Sequence, residues 1–148
     1  NQVMGVYDQS LIEPIANVLK GLGSRHVMVV HSADGLDELS IADKTFIAEL
    51  KDGNVTTYSI HPEEFGFSLG NLNDIKANDA EGSLALIKEA FSGQNGTAKD
   101  IISLNAGAAI YVSGLTTSLQ SGVDRANQAL SNGSAQQKLE DYVKASNG

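Results

Sequence analysis

Two hydrophobic periods divide the chain. Apolar residues begin at once with Val3, Met4 and Val6, which reads as a short strand. Ser10 and Glu13 then stand at capping-box spacing, Leu11, Ile15, Val18 and Leu19 recur at helical intervals, and Gly21 and Gly23 end the helix. Val27, Met28, Val29 and Val30 follow as an unbroken apolar run, the pattern of a strand covered on both faces in a parallel sheet. Strand, helix and strand make a βαβ unit, right-handed by default, which puts the loop after Val30 at the C-terminal edge of the sheet. Open α/β sheets take their ligands outside that edge.

Residues 44–61 change to a period of two. Phe46, Ala48 and Leu50 alternate with Ile47, Glu49 and Lys51, and Asp52-Gly53 marks a tight turn before Val55 to Ile60, predicting an antiparallel hairpin. The stretch from His61 to Asn78, with Pro62, glycines and several Asn and Asp residues, reads as a connecting loop with one short turn. Helical patterns fill the rest. The first carries Leu84, Ile87 and Phe91 on one face. The second, from about Ala98 to Val112, is apolar almost all round and should be buried, with Ala106 to Ala109 letting a neighbour approach. The third bears Leu119, Val123, Ala126 and Leu130 and ends near Gly133; a last pattern runs through Leu139 and Val143. The expected architecture is a single α/β domain over 1–148: a mainly parallel sheet flanked by helices, with an antiparallel hairpin.

Composition narrows the possible functions. With 41% hydrophobic and 19% charged residues in 148, the chain is of ordinary globular make-up. The absence of cysteine removes thiol nucleophiles, thiolate metal sites and disulfides, and leans the expectation towards the cytoplasm. A net charge of -8 without a basic cluster opposes nucleic-acid binding. The longest apolar stretch, around residues 105–112, is far short of the roughly 20 residues that span a bilayer, so no membrane role is expected. The chain opens on Asn1 with apolar residues and no polar lead-in, so it is expected to be a portion of a longer protein.

The chemistry concentrates in His31-Ser32-Ala33-Asp34-Gly35-Leu36-Asp37-Glu38, just past the predicted parallel strand. Hard carboxylate oxygens suit magnesium, which keeps several waters and bridges one or two protein carboxylates to substrate phosphates; adjacent Asp37 and Glu38 can serve so. The same residues also suit a turn and a helix cap on a solvated loop, and spacing does not separate the two readings. His31 can orient a ligand or close a strand end by a structural hydrogen bond. His26 and His61 match no metal-ligand spacing. Gly21-Leu22-Gly23 and Gly93-Gln94-Asn95-Gly96 read as helix caps rather than phosphate cradles, because neither lies between a strand and a helix.

Read in order, Val3-Met4-Gly5-Val6-Tyr7, Leu11-Ile12-Glu13-Pro14-Ile15-Ala16, His26-Val27-Met28-Val29-Val30-His31 and Asp34-Gly35-Leu36-Asp37-Glu38 resemble the second half of the anthranilate phosphoribosyltransferases. Ala48-Glu49-Leu50-Lys51, Pro62-Glu63-Glu64-Phe65-Gly66 and Leu104-Asn105-Ala106-Gly107-Ala108-Ala109 extend the likeness over nearly the whole chain. The resemblance implies the C-terminal part of a nucleoside phosphorylase/phosphoribosyltransferase-like catalytic domain. It also implies magnesium-dependent transfer of phosphoribosyl from phosphoribosyl pyrophosphate to anthranilate in tryptophan biosynthesis, with Asp37 and Glu38 as metal ligands and Asp34 outside that pair. It further implies that the helical N-terminal domain, the first part of the α/β domain, the other substrate-binding loops and the homodimer surface lie upstream. These residues alone are then not expected to be active, and catalytic and substrate-binding residues are not assigned among them. The alternatives are a pyrimidine nucleoside phosphorylase-like enzyme and a non-catalytic α/β remnant.

Overall fold

The computed structural model describes residues 1–148. Strand β1 (Gln2–Gly5) leads into helix α1 (Ile12–Gly21) and returns as β2 (His26–Ser32), parallel to β1 with Gln2 beside Val27 and Gly5 beside Val30. A loop over residues 33–44 then enters the hairpin of β3 (Thr45–Lys51) and β4 (Asn54–Ile60), turned at Asp52 and Gly53, both at positive φ. The sheet order is β1-β2-β3-β4. Helices α2 (Ala80–Phe91), α3 (Thr97–Val112), α4 (Leu119–Ser131) and α5 (Ser134–Asn147) complete the chain.

The α/β class and the hairpin are as the periodicity predicts, but the share of parallel pairing is smaller. Only β1 and β2 run parallel; β2–β3 and β3–β4 are antiparallel. The reason lies in the connections: a parallel neighbour requires a crossover, normally a helix, whereas the helix-free loop 33–44 simply turns the chain back. The sheet within these residues is therefore mixed.

Two apolar clusters sandwich the sheet. On one face Val27, Val29, Ala48 and Leu50 meet Ile12 and Ala16 of α1. On the other, Met28, Val30, Ile47 and Ile60 meet Leu104, Ala108, Tyr111 and Val112 of α3, with Val123 of α4 behind them. Burial on both faces explains the unbroken apolar run of β2, and each fully buried Val, Leu, Ile or Met contributes about 1.5–3 kcal/mol. The α3–α4 contact depends on small residues: a Cβ on Gly107 would lie 2.7 Å from the Val123 Cα, and one on Gly122 would strike the Gly107 carbonyl.

Local signals were partly displaced. The Ser10–Glu13 capping box does not form. Asp8 accepts instead from the Ser10 backbone N–H at 2.8 Å and from the Ser10 hydroxyl at 2.7 Å, capping a 3-10 turn over Gln9–Leu11 that feeds α1. The connector expected with one short turn contains two 3-10 turns, Pro62–Phe65 and Leu72–Ile75. Gly93 at positive φ follows α2 and Gly96 stands as the N-cap of α3, so the second glycine pair does punctuate helices.

Candidate functional site

The chain leaves β2 at Ser32 and folds the acidic loop back on itself. The Ser32 N–H donates to the Leu36 carbonyl at 2.9 Å and the Gly35 N–H donates to Ser32 at 3.0 Å, with Gly35 at φ +92°. Asp34 is consumed within the loop: its carboxylate accepts from the Leu36 N–H at 3.2 Å and from the Ser40 hydroxyl. Its role is to shape the turn. The chain then crosses the end of β1, where the Asp37 carbonyl lies so close to Gly5 that a Cβ there would fall on the oxygen. After Glu38 the backbone dives inward, and Leu39 and Ser40 are buried.

Asp37 and Glu38 thus sit exposed at the C-terminal edge of the parallel pair. The ion pairs of the chain involve His26 and His61, and neither Asp37 nor Glu38 shares in them. Both carboxylates line a cleft of about 400 Å³ with Val3, Gly5, Val30, Ile101, Ile102 and Asn105. Its walls are the edge of the sheet and the N-terminal half of α3; the polar residues along it are Asp37, Glu38 and Asn105. No group of three or more His, Cys, Asp or Glu residues is gathered to hold a metal. A two-carboxylate donor set of hard oxygens does not make a closed protein cage, but it suits magnesium, which retains waters and shares a substrate's phosphate oxygens. No Lys or Arg lines the cleft.

The three histidines lie elsewhere. His31 donates from Nδ1 to the Val6 carbonyl at 2.9 Å, tying the exit of β1 to β2. In the alternation of β2 it shares the α1 face with Val27 and Val29, away from the cleft that Val30 lines. His61 begins the 3-10 turn Pro62–Phe65, and its Nδ1 stands 3.3 Å from Glu63. His26 belongs to a network that sequence reasoning missed, at the opposite end of the sheet. There His26 Nε2 meets Glu49 Oε1 at 2.7 Å, the Tyr58 hydroxyl donates to Glu49 Oε2 at 2.8 Å, and the Tyr111 ring stands edge-on to His26 at 4.6 Å. Lys51 Nζ donates to the Tyr111 hydroxyl at 3.1 Å. Burial, reinforced by the Glu49 carboxylate, pushes the Tyr58 hydroxyl well above the ordinary tyrosine value. Burial also raises Tyr111, while its hydroxyl raises Lys51. The signal available in the sequence was Glu49, a carboxylate among apolar residues in a central strand. α3 accordingly runs antiparallel to β2, with Asn105 at the cleft and Tyr111 at the far edge.

Comparison with known proteins agrees with this architecture. The family model described as "Glycosyl transferase family, a/b domain" matches residues 1–136. The anthranilate phosphoribosyltransferase of Ruthia magnifica is 64% identical over 146 residues, covering 99% of this chain and 43% of that protein. The crystal structure of anthranilate phosphoribosyltransferase from Thermus thermophilus superposes with a TM-score of 0.85 at 34% identity, over 95% of this chain and 41% of that one. The Saccharomyces cerevisiae enzyme in complex with phosphoribosyl pyrophosphate and magnesium shares the fold at a TM-score of 0.83 and 24% identity, over 97% of this chain and 42% of its own. The chain therefore spans less than half the length of these relatives. A family match running from the first residue to the start of α5 shows that the chain belongs to the glycosyl transferase family, as its α/β domain.

Proposed function

We propose that the chain supplies the acidic side of an anthranilate phosphoribosyltransferase active site, as one α/β domain of a longer protein whose helical N-terminal domain and remaining α/β strands precede it. The complete protein would move the phosphoribosyl group of phosphoribosyl pyrophosphate to the amino nitrogen of anthranilate in tryptophan biosynthesis. The bond from the ribose C1 to pyrophosphate breaks, a C1–N bond forms, the amine gives up a proton and pyrophosphate leaves. The observation that carries this reading is the exposed Asp37–Glu38 pair, free of any ion pair, at the C-terminal edge of the sheet and beside a cleft. The 64% identity to an anthranilate phosphoribosyltransferase supports it.

In this reading Asp37 and Glu38 hold magnesium. The metal, when bound, offsets negative charge that gathers on the leaving pyrophosphate. Val3, Ile101 and Ile102 give the cleft an apolar side on which each charge interaction is stronger than in water. With a net charge of -8 and no cation in the cleft, the chain repels a free polyanion, so phosphate contacts must come from the metal and from the part of the complete protein that this chain does not span. The same reading takes the complete protein to be a cytoplasmic homodimer.

The test uses the complete gene product, following loss of anthranilate fluorescence against magnesium concentration. Asp37→Asn and Glu38→Gln should each lower kcat/KM by about a hundredfold. Both side chains are exposed and outside every ion pair, so thermal stability should change by no more than about 0.5 kcal/mol. Wild-type magnesium dependence in both variants would remove the metal assignment. A complete product without transferase activity would leave the non-catalytic reading in place.

A further inference from the structure

We infer that Asn105 is a positioning residue for the Asp37–Glu38 pair, an inference that rests on the metal reading just given. Asn105 lies on α3, 66 residues beyond Leu39, yet its amide grips that residue from both sides. Its Oδ1 accepts the Leu39 N–H at 3.0 Å, and its Nδ2 donates to the Leu39 carbonyl at 2.8 Å. The second Nδ2 proton goes to the Ile101 carbonyl at 3.0 Å, which fixes the side chain against its own helix. This is the pairing that a neighbouring strand would give, supplied by one side chain. Exchanging the amide oxygen and nitrogen would set like groups against each other at Leu39, so the geometry admits one orientation.

The grip falls where position matters. Leu39 is fully buried and immediately follows Glu38. On the other side of the pair, the Leu36 carbonyl is held by the Ser32 N–H at 2.9 Å and the Asp37 carbonyl rests on Gly5. The two carboxylates therefore hang on a short span between β1–β2 and α3, and Asn105 is its α3 anchor. Asn105 also lines the cleft itself. Without the Asn105 amide, Leu39 keeps its apolar anchorage but loses both of its backbone hydrogen bonds, and the nearest remaining directional hold moves one residue on, to the Ser40 N–H that donates to the Thr45 hydroxyl at 3.0 Å. An apolar contact tolerates sliding that a bidentate hydrogen bond does not.

The experiment compares Asn105→Ala with Ser103→Ala in the complete gene product. Ser103 is also buried on α3, but its hydroxyl donates to the Asn127 side chain of α4 at 2.8 Å rather than to the loop. Three readouts are taken: hydrogen exchange of the Leu39 amide in metal-free protein, the magnesium concentration that half-saturates phosphoribosyl pyrophosphate binding by calorimetry, and thermal stability. Asn105→Ala should speed exchange at Leu39 and raise the half-saturating magnesium about tenfold, as loss of a group that orients a ligand does. Ser103→Ala should lower stability and leave magnesium where it was. Should Asn105→Ala not fold, Asn105→Ser, too short to span both Leu39 groups, gives the same readouts. If Asp37→Asn and Glu38→Gln shift the magnesium requirement and Asn105→Ala does not, or if Ser103→Ala shifts it equally, Asn105 has no positioning role. If Asp37→Asn and Glu38→Gln shift nothing, the metal reading itself fails and this inference falls with it.

Discussion

Replacing Gly5 by Ala tests whether the acidic pair is placed by backbone crossing. A Cβ at Gly5 would fall on the Asp37 carbonyl oxygen, with the Asp37 carbonyl carbon and Cβ crowded behind it. Restoring an ordinary contact requires a retreat of about 2 Å. The flanks cannot share it freely: Leu36 is held to Ser32 at 2.9 Å and Leu39 to Asn105 at 3.0 and 2.8 Å. The displacement is thus forced onto Asp37 and Glu38. Overpacking of this sort costs about 1–3 kcal/mol, and because Gly5 does not adopt positive φ, the stiffer unfolded chain returns up to about 1 kcal/mol. The expected net loss in urea unfolding is about 1–2 kcal/mol. The expected loss in function is larger, because misplacing a reacting group by about 1 Å can cost a hundredfold in rate. Gly21→Ala is the matched control, since a Cβ there meets nothing within 4 Å. On the proposed function, Gly5→Ala should raise the magnesium requirement of the complete gene product and cut kcat/KM about a hundredfold, while Gly21→Ala stays at wild type. Wild-type magnesium dependence in Gly5→Ala, with the variant folded, would refute the argument that the crossing sets the pair.

Two further predictions concern stability. Tyr58 has a folded-state value raised above its ordinary 10.0 by burial and by Glu49. The folded protein then keeps a proton that the unfolded chain releases, so this contribution is fully present below pH 10.0 and is lost as pH rises above it. Tyr58→Phe should flatten the alkaline decline in urea-unfolding free energy above that pH without changing transferase activity, and an unchanged alkaline slope would count against it. Gly107→Ala should destabilise by about 1–3 kcal/mol despite the better helix propensity of alanine, because its Cβ would stand 2.7 Å from both the Val123 Cα and its backbone nitrogen. A stabilised Gly107→Ala would mean that α4 can withdraw at little cost.

The elements were legible wherever one period ran uninterrupted. The helix before Gly21, the apolar strand at residues 27–30, the Asp52-Gly53 hairpin and the buried helix ending at Val112 all follow from spacing. Spacing misleads where a second contact, local or tertiary, competes with the pattern. Ser10 and Glu13 have the letters of a capping box, but Asp8 reaches the Ser10 N–H first. β3 alternates as if one face were wet, yet helices cover both faces, so Ile47 and Glu49 are as enclosed as Ala48 and Leu50. A glutamate there must find partners, and His26 and Tyr58 supply them from neighbouring strands.

The site divides in the same way, and the division says what makes it a site. Asp37 and Glu38 are adjacent, so a sequence displays them, but adjacency alone fits a solvated turn equally well. Their placement comes from groups that spacing cannot connect. Gly5 stands a helix and a strand before Asp37 and matters for the side chain it lacks; Asn105 stands 66 residues beyond Leu39 and looks like one more polar residue in an apolar helix. Each acts on backbone rather than on a carboxylate. A variant that preserves the D-G-L-D-E letters is therefore expected to shift the two carboxylates when either of two residues outside them is changed, whereas a change at Asp34 acts on the turn through Ser40 and the Leu36 N–H. The letters of the loop supply the charge, and the crossing of β1 with the grip from α3 decides where it is held.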